Sequence, residues 1–260
     1  AIARNYGVAR ASGEYVIFVD SDVIVPDDYF EKVENYLSEE KIDAFGGPDA
    51  ASPDFSLMQK AISYSMTAFL TTGNIRGGEK IGKFYPRSFN MGIKKTVFDE
   101  IGGFPVTKMH PGEDMVFAIE IIKQGYKTKL FKNAFVYHKR RNNLKSFFLQ
   151  VFRFGKTRNI ISNIYPKTFK IFHLVPTVFV FGVLFLIVTS FINWLFITPL
   201  VLYILLIFFD SSIKNKNIAV GSLSVLTSLI QLFGYGLGFL QPVFVKDEFG
   251  VIKNGFYTKK

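Results

Sequence analysis

The stretch Glu14–Phe30 reads EYVIFVDSDVIVPDDYF. Tyr15 to Val19 is a continuous apolar run rich in β-branched residues, the pattern of a strand buried on both faces. It stops at Asp20-Ser21-Asp22. In an open α/β sheet, ligands gather outside the carboxyl ends of the strands. On an extended segment, side chains two residues apart point the same way, and two carboxylates so close repel and raise one pKa. A divalent cation resolves the conflict. Mg²⁺ commonly takes one or two protein carboxylates together with substrate phosphate oxygens, so the pair predicts a metal that holds a phosphorylated substrate. An Asp-X-Asp alone is common in turns. A calcium loop counted from Asp20 would put Glu31 in its twelfth place, but Ile24 and Val25 fall where a ligand and a glycine are required, and that reading is rejected.

Outward from this strand the chain is α/β, with strands and helices alternating. Residues 1–10 are helix-compatible and Ser12-Gly13 ends them. A helix is expected near 27–38 with Phe30, Val33 and Leu37 on one face. DAFGGPDA carries a short strand, residues 55–72 are helical, and Gly73 to Ser88 is a glycine-rich basic loop. FNMGIKKTVFDEIGGF holds a strand and a helix closed by Gly102-Gly103. GEDMVFAIEIIKQGY is an amphipathic helix with Met115, Ile119 and Ile122 on one face and Gly125 as its cap. One last strand ends at Tyr137-His138.

The composition divides the chain. Lys and Arg number 31 against 21 Asp and Glu, a formal charge of +10, and there is no cysteine, hence neither a disulfide framework nor a thiolate metal site. No Asp or Glu occurs from Ile121 to Phe209, and Ile171–Phe209 holds no Lys or Arg either. A basic segment that runs straight into such a stretch is a membrane junction rather than a nucleic-acid arm. No nucleic-acid partner is expected; membrane lipid is. The run is too long for one crossing of about 20 residues. Spans are expected at 171–189 and 193–209, turning near TSFINW, and a glycine- and serine-rich third at 218–243, whose small residues suit close helix packing. A buried helical core of a soluble protein is the competing reading. In LKSFFLQVFRFG, residues Leu144, Phe147, Phe148, Val151 and Phe152 make one face, expected to lie in the membrane interface; an ordinary core-facing helix is the alternative.

Two further groups carry candidate chemistry. Glu113-Asp114 opens the amphipathic helix. Acids there ordinarily complement the helix dipole, but one of them could serve as a general base toward an attacking hydroxyl. His138 ends the last strand, followed by Lys139-Arg140-Arg141, cations that could hold a leaving diphosphate.

In order, ARNYGVARASGEYVIFVDSD, FNMGIKKTVFDEIGGF, GEDMVFAIEIIKQGYK and AFVYH make residues 1–155 resemble the family 2 glycosyltransferases. The resemblance implies a GT-A fold (Rossmann-like, N-terminally truncated and followed by a transmembrane helical region). It also implies inverting transfer, of hexosyltransferase type, from a nucleotide diphosphate sugar. Asp20 and Asp22 then match the Asp-X-Asp motif that binds ribose, diphosphate and Mg²⁺ or Mn²⁺. Asp114 matches the catalytic base, His138 a position that helps hold the metal, and Arg4 and Asn5 a nucleotide-side motif. Asn90, Glu113, Arg140 and Arg141 complete the candidate substrate contacts. The chain opens AIARNYGVARASG without the family's first strand, so the N-terminal part of the domain is expected to be missing and the nucleotide is not readable. The Gln-X-X-Arg-Trp motif of processive synthases is absent. That points to non-processive, membrane-anchored relatives that act on lipid-linked glycans in cell-surface polysaccharide assembly.

The expected organisation is a catalytic domain over 1–142, a juxtamembrane segment over 143–170, membrane helices over 171–243 and a basic tail over 244–260. The catalytic domain would lie on the cytoplasmic face of the inner membrane, where nucleotide sugars are. Length favours a full third crossing, yet that strands Lys246, Lys253, Lys259 and Lys260 outside, against the positive-inside rule; the alternative is that 218–243 re-enters and stays on the inner side. The rival classes are a catalytically inactive membrane scaffold and a fragment of a flippase. The intact Asp20, Asp22 and Asp114 set disfavours the first, and the α/β domain the second.

Overall fold

The computed structural model describes residues 1–52, 54–73, 84–106 and 111–244. Most of the expected basic loop, the His110 preceding Pro111-Gly112, and the tail from residue 245 lie outside them. The chain forms two compact units. The first comprises the described residues of Ala1–Ser52 and Glu79–Lys139; the second is built from Pro53–Gly78 and Arg140–Asp247. The boundary therefore differs from the expected one: residues 53–78 belong with the apolar helices, not with the catalytic domain.

The first unit opens with α1 (Ile2–Val8), β1 (Tyr15–Val19), β2 (Val23–Ile24), α2 (Tyr29–Glu39), β3 (Ala44–Gly46) and β4 (Asp49–Ala50). After α3 (Leu57–Thr67) and α4 (Phe69–Thr72) of the second unit, it resumes with β5 (Asn90–Lys94), α5 (Lys95–Ile101), α6 (Glu113–Lys123), β6 (Thr128–Leu130) and β7 (Val136–His138). The main sheet runs β1-β5-β3-β6 and a second, small sheet runs β2-β7-β4. Strand β5 is antiparallel to β1 and β3, while β3 and β6 are parallel. The antiparallel register pairs Val19 with Asn90, so the residues just before β5 lie at the same sheet edge as Asp20.

Two apolar cores flank the main sheet. One gathers Phe18, Met91, Ile93, Phe98, Phe104, Phe117 and Ile121; the other gathers Tyr29, Val33, Phe45 and Phe131. Both helix faces differ slightly from the periodic reading. In α2, Tyr29 is buried while Phe30 is exposed, and in α6 the fully buried residues include Phe117 and Ile121 rather than Met115 and Ile122. Helix α6 is covered on most of its circumference, which blurs a 3.6-residue stripe. The expected last strand is two, β6 and β7.

The second unit is helical: α3, α4, α7 (Leu144–Ile164), α8 (Val175–Ser190), α9 (Thr198–Asn215) and α10 (Ile218–Phe244). Among the described residues three stretches, Ile171–Ser190, Trp194–Asn215 and Ile218–Val243, are long and apolar enough to cross a membrane, with mean hydropathies of 2.6, 2.1 and 1.6. Half of the third is buried inside the protein, against 17% and 11% of the others. The glycines of α10 explain how. A Cβ on Gly238 would lie 2.0 Å from the Phe152 carbonyl oxygen, and one on Gly155 would lie 2.1 Å from that of Tyr235, so α7 and α10 pack backbone to backbone. The α7 face expected in the membrane interface is instead partly a protein core: Phe147 and Val151 are fully buried with Ile62 and Met66 of α3, and Ile230 of α10 packs on them.

Candidate active site

The first unit brings three predicted residues to one point. A ligand atom from each of Asp20, Asp22 and His138 lies within 4.8 Å of the others. The local reason is a turn, not an extended strand. β1 stops at Val19, and the Val23 N–H donates to the Asp20 carbonyl at 3.2 Å. This bend replaces the same-side strand geometry that the spacing suggested. It leads into β2, which pairs with β7 so that Val23 faces His138, and the Lys139 N–H donates to the Asp22 carbonyl at 3.1 Å. His138 Nε2 then stands 3.3 Å from Asp22 Oδ1, and its ring lies against Phe89, centroids 5.2 Å apart. Two carboxylates and an imidazole suit Mg²⁺ or Mn²⁺.

Asp114 opens α6 and is almost fully buried. Its Oδ2 accepts from Arg87 Nε at 2.7 Å and its Oδ1 from its neighbour, the Met115 N–H, at 2.8 Å. Burial alone would raise its pKa, but the Arg87 guanidinium, with the Met115 and Ser88 backbone, holds it below the usual carboxylate value. Arg87 was not singled out in the sequence. The signal that finds it is the antiparallel pairing of β5 with β1, which delivers Arg87 to the acidic edge.

The other candidates are engaged by the protein itself. Arg4 donates to Asp20 Oδ1 at 2.9 Å and to Glu113 Oε1 at 3.3 Å, with its guanidinium over Phe104. It thereby ties Asp20 to the first turn of α6. Asn5 grips the Phe104 backbone from both sides, accepting its N–H and donating to its carbonyl, both at 2.9 Å. Asn90 is buried, accepts from the Tyr29 hydroxyl at 2.6 Å and donates to the Ala134 carbonyl at 2.9 Å. Burial pushes the Tyr29 hydroxyl up to about 12, so it stays a donor. Asn5 and Asn90 thus hold the backbone around the site. Arg4 and Glu113 become the brace between the two carboxylate groups. The reason is common to all four: polar side chains this close to a sheet edge satisfy backbone and charge before they reach solvent. Arg140 and Arg141 belong to the second unit, where the buried Arg140 accepts through its carbonyl from Gln59 Nε2 at 3.0 Å.

The mixed sheet thus brings two acids and a histidine together at the strand ends, and Arg4 links them to the helix start that carries the buried Asp114. Among solved structures, the mannosyltransferase PcManGT from Pyrobaculum calidifontis, in complex with GDP-Man and Mn²⁺, matches with a TM-score of 0.55 and 15% identity, over 90% of this chain and 66% of that one. This chain thus spans slightly under two thirds of that structure. At such identity the likeness shows the fold alone. The model of glycosyl transferase family 21 matches residues 4–233, and the chain belongs to that family. The motifs that resemble family 2 thus lie in a chain of family 21. No curated protein matches the sequence.

Proposed function

We propose that this chain is the catalytic part of a membrane-bound, inverting glycosyltransferase that uses a divalent cation and a nucleotide diphosphate sugar. The observation that carries the reading is the convergence of Asp20, Asp22 and His138. PcManGT, which shares the fold, was solved with GDP-Man and Mn²⁺. A bound Mg²⁺ or Mn²⁺ would neutralise the diphosphate as it leaves. Asp20, Asp22 and His138 would hold that ion. Arg4 would keep Asp20 in place. Asp114 would accept the proton of an acceptor hydroxyl. The acceptor oxygen bonds to the anomeric carbon on one face as the bond to the diphosphate oxygen breaks on the other, so one displacement inverts the centre. Arg87 keeps Asp114 ionised despite its burial, ready to take that proton.

The acceptor is a hydroxyl of a lipid-linked glycan, and the role is cell-surface polysaccharide assembly. The apolar helices support a membrane address: α8 and α9 would form a crossing hairpin, with the catalytic unit on the cytoplasmic face of the inner membrane. The test is a panel of nucleotide sugars with Mn²⁺ and the full chain in detergent. EDTA should abolish transfer, and Asp22→Ala should lose cation-dependent donor binding. Undiminished turnover by Asp22→Ala sinks the assignment.

A further inference from the structure

Length and composition alone would send α10 across the membrane. Its contacts say otherwise. At its start, Gly221 packs on the Phe208 carbonyl and Ser212, and the Ser224 hydroxyl meets that of Ser211 at 2.7 Å, both on the last turns of α9. At its middle, Thr227 donates to the Ala61 carbonyl of α3 at 3.0 Å. In its second half, Gly236 lies against the Pro176 carbonyl and accepts from Thr177 at 3.3 Å, on the first turn of α8. Beyond it, Gly238 meets Phe152, and the Phe239 carbonyl accepts from Asn159 at 2.9 Å, both on α7.

Every one of these partners is tied to the same side. α3 and α4 sit on a length of chain that leaves the first unit and returns to it. α7 follows the first unit directly and is not apolar enough to span. α8 begins, and α9 ends, at the open end of their hairpin. A crossing helix rises about 27 Å between residues 221 and 239, which would carry Phe239 to the level of the hairpin turn. It sits instead beside α7. The hairpin agrees: no residue from Leu184 to Leu206 is buried, whereas a third span alongside would cover some of them.

We infer that α10 lies along the catalytic side of the membrane instead of spanning it, with a lipid surface against its outer stripe. Leu226 and Leu237 are exposed on that stripe, while Ser224, Thr227 and Ser228 are fully buried on the inner one. The small polar stripe packs into the protein and the leucines are left for lipid; what keeps the helix on one side is the set of partners above. It also removes the charge conflict, because the tail lysines stay on the side of Lys214 and Lys216.

The inference rests on the reading that α8 and α9 cross, and one experiment separates the two. The chain has no cysteine, so single cysteines are introduced by Lys41→Cys in the first unit, Asn193→Cys at the hairpin turn, Asn217→Cys between α9 and α10, and Lys260→Cys at the end. Each is probed with a membrane-impermeant maleimide on intact and on permeabilised cells. Positions 41, 217 and 260 should label only after permeabilisation, and position 193 on intact cells. Labelling of 260 on intact cells with 217 protected overturns the placement of α10. Protection of 193 with the rest overturns the crossing hairpin and leaves α10 on the side assigned here.

Discussion

Asp114 is charged in a place that disfavours charge. Removing the guanidinium that offsets its burial should therefore be visible in the pH profile. In the base role proposed above it is the ionised form that acts, and its pKa is lowered in the folded chain, so activity should persist to a pH below the usual carboxylate range. Arg87→Met leaves burial as the dominant influence, lifts the pKa, and should move the acid limb of kcat to higher pH while activity above neutrality changes less; an unmoved limb would show that Arg87 does not tune the base. Asp114→Asn keeps the shape but accepts no proton. Turnover should fall about 10²-fold or more with donor affinity retained, as a kcat measurement beside donor titration would show. The acids were legible from their spacing and their place after a strand. Arg87 was not, because a residue three positions before a strand acquires meaning only once that strand is known to run antiparallel to β1.

Among the elements, the contact between α7 and α10 is the most specific. Gly238→Val must push apart two backbones and should lower stability by about 1–3 kcal/mol, the usual cost of overpacking, read as a fall in the thermal midpoint in detergent. Gly182 of α8 has nothing within 4 Å of where its Cβ would be, so Gly182→Ala should hold or slightly raise the midpoint through helix propensity. Equal losses from both would mean that close approach is not what α10 supplies. The apolar face of α7 was readable in the sequence, but its partner was not: an amphipathic stripe looks the same whether it meets lipid or another helix. The same ambiguity hides why α3 belongs to the helical unit. Its apolar residues carry no trace of the partners, Phe147, Val151 and Ile230, that pack on them from far along the chain.

At the scale of the whole molecule, the chain leaves its first unit after Ser52, is back in it by Phe84, and leaves again after Lys139. α3 and α10 are joined by a hydrogen bond spanning 166 positions. A chain ended after Asn217 should keep the sheet of the first unit but expose α3 to protease, with cleavage between residues 54 and 73 as the readout; a resistant α3 would show that α10 is not its cover. The alternation of strands and helices announced the α/β class, and the uncharged run announced the apolar helices. The interleaving of the units was invisible, because it is set by pairings distant in sequence. It has a consequence for how the protein is born. At about 5–20 residues per second of synthesis, α3 leaves the ribosome on the order of ten to thirty seconds before α10 exists to cover it. During that interval its apolar face has neither its partner helix nor a completed unit to shelter it, so the nascent chain needs a chaperone or the membrane itself as a temporary substitute.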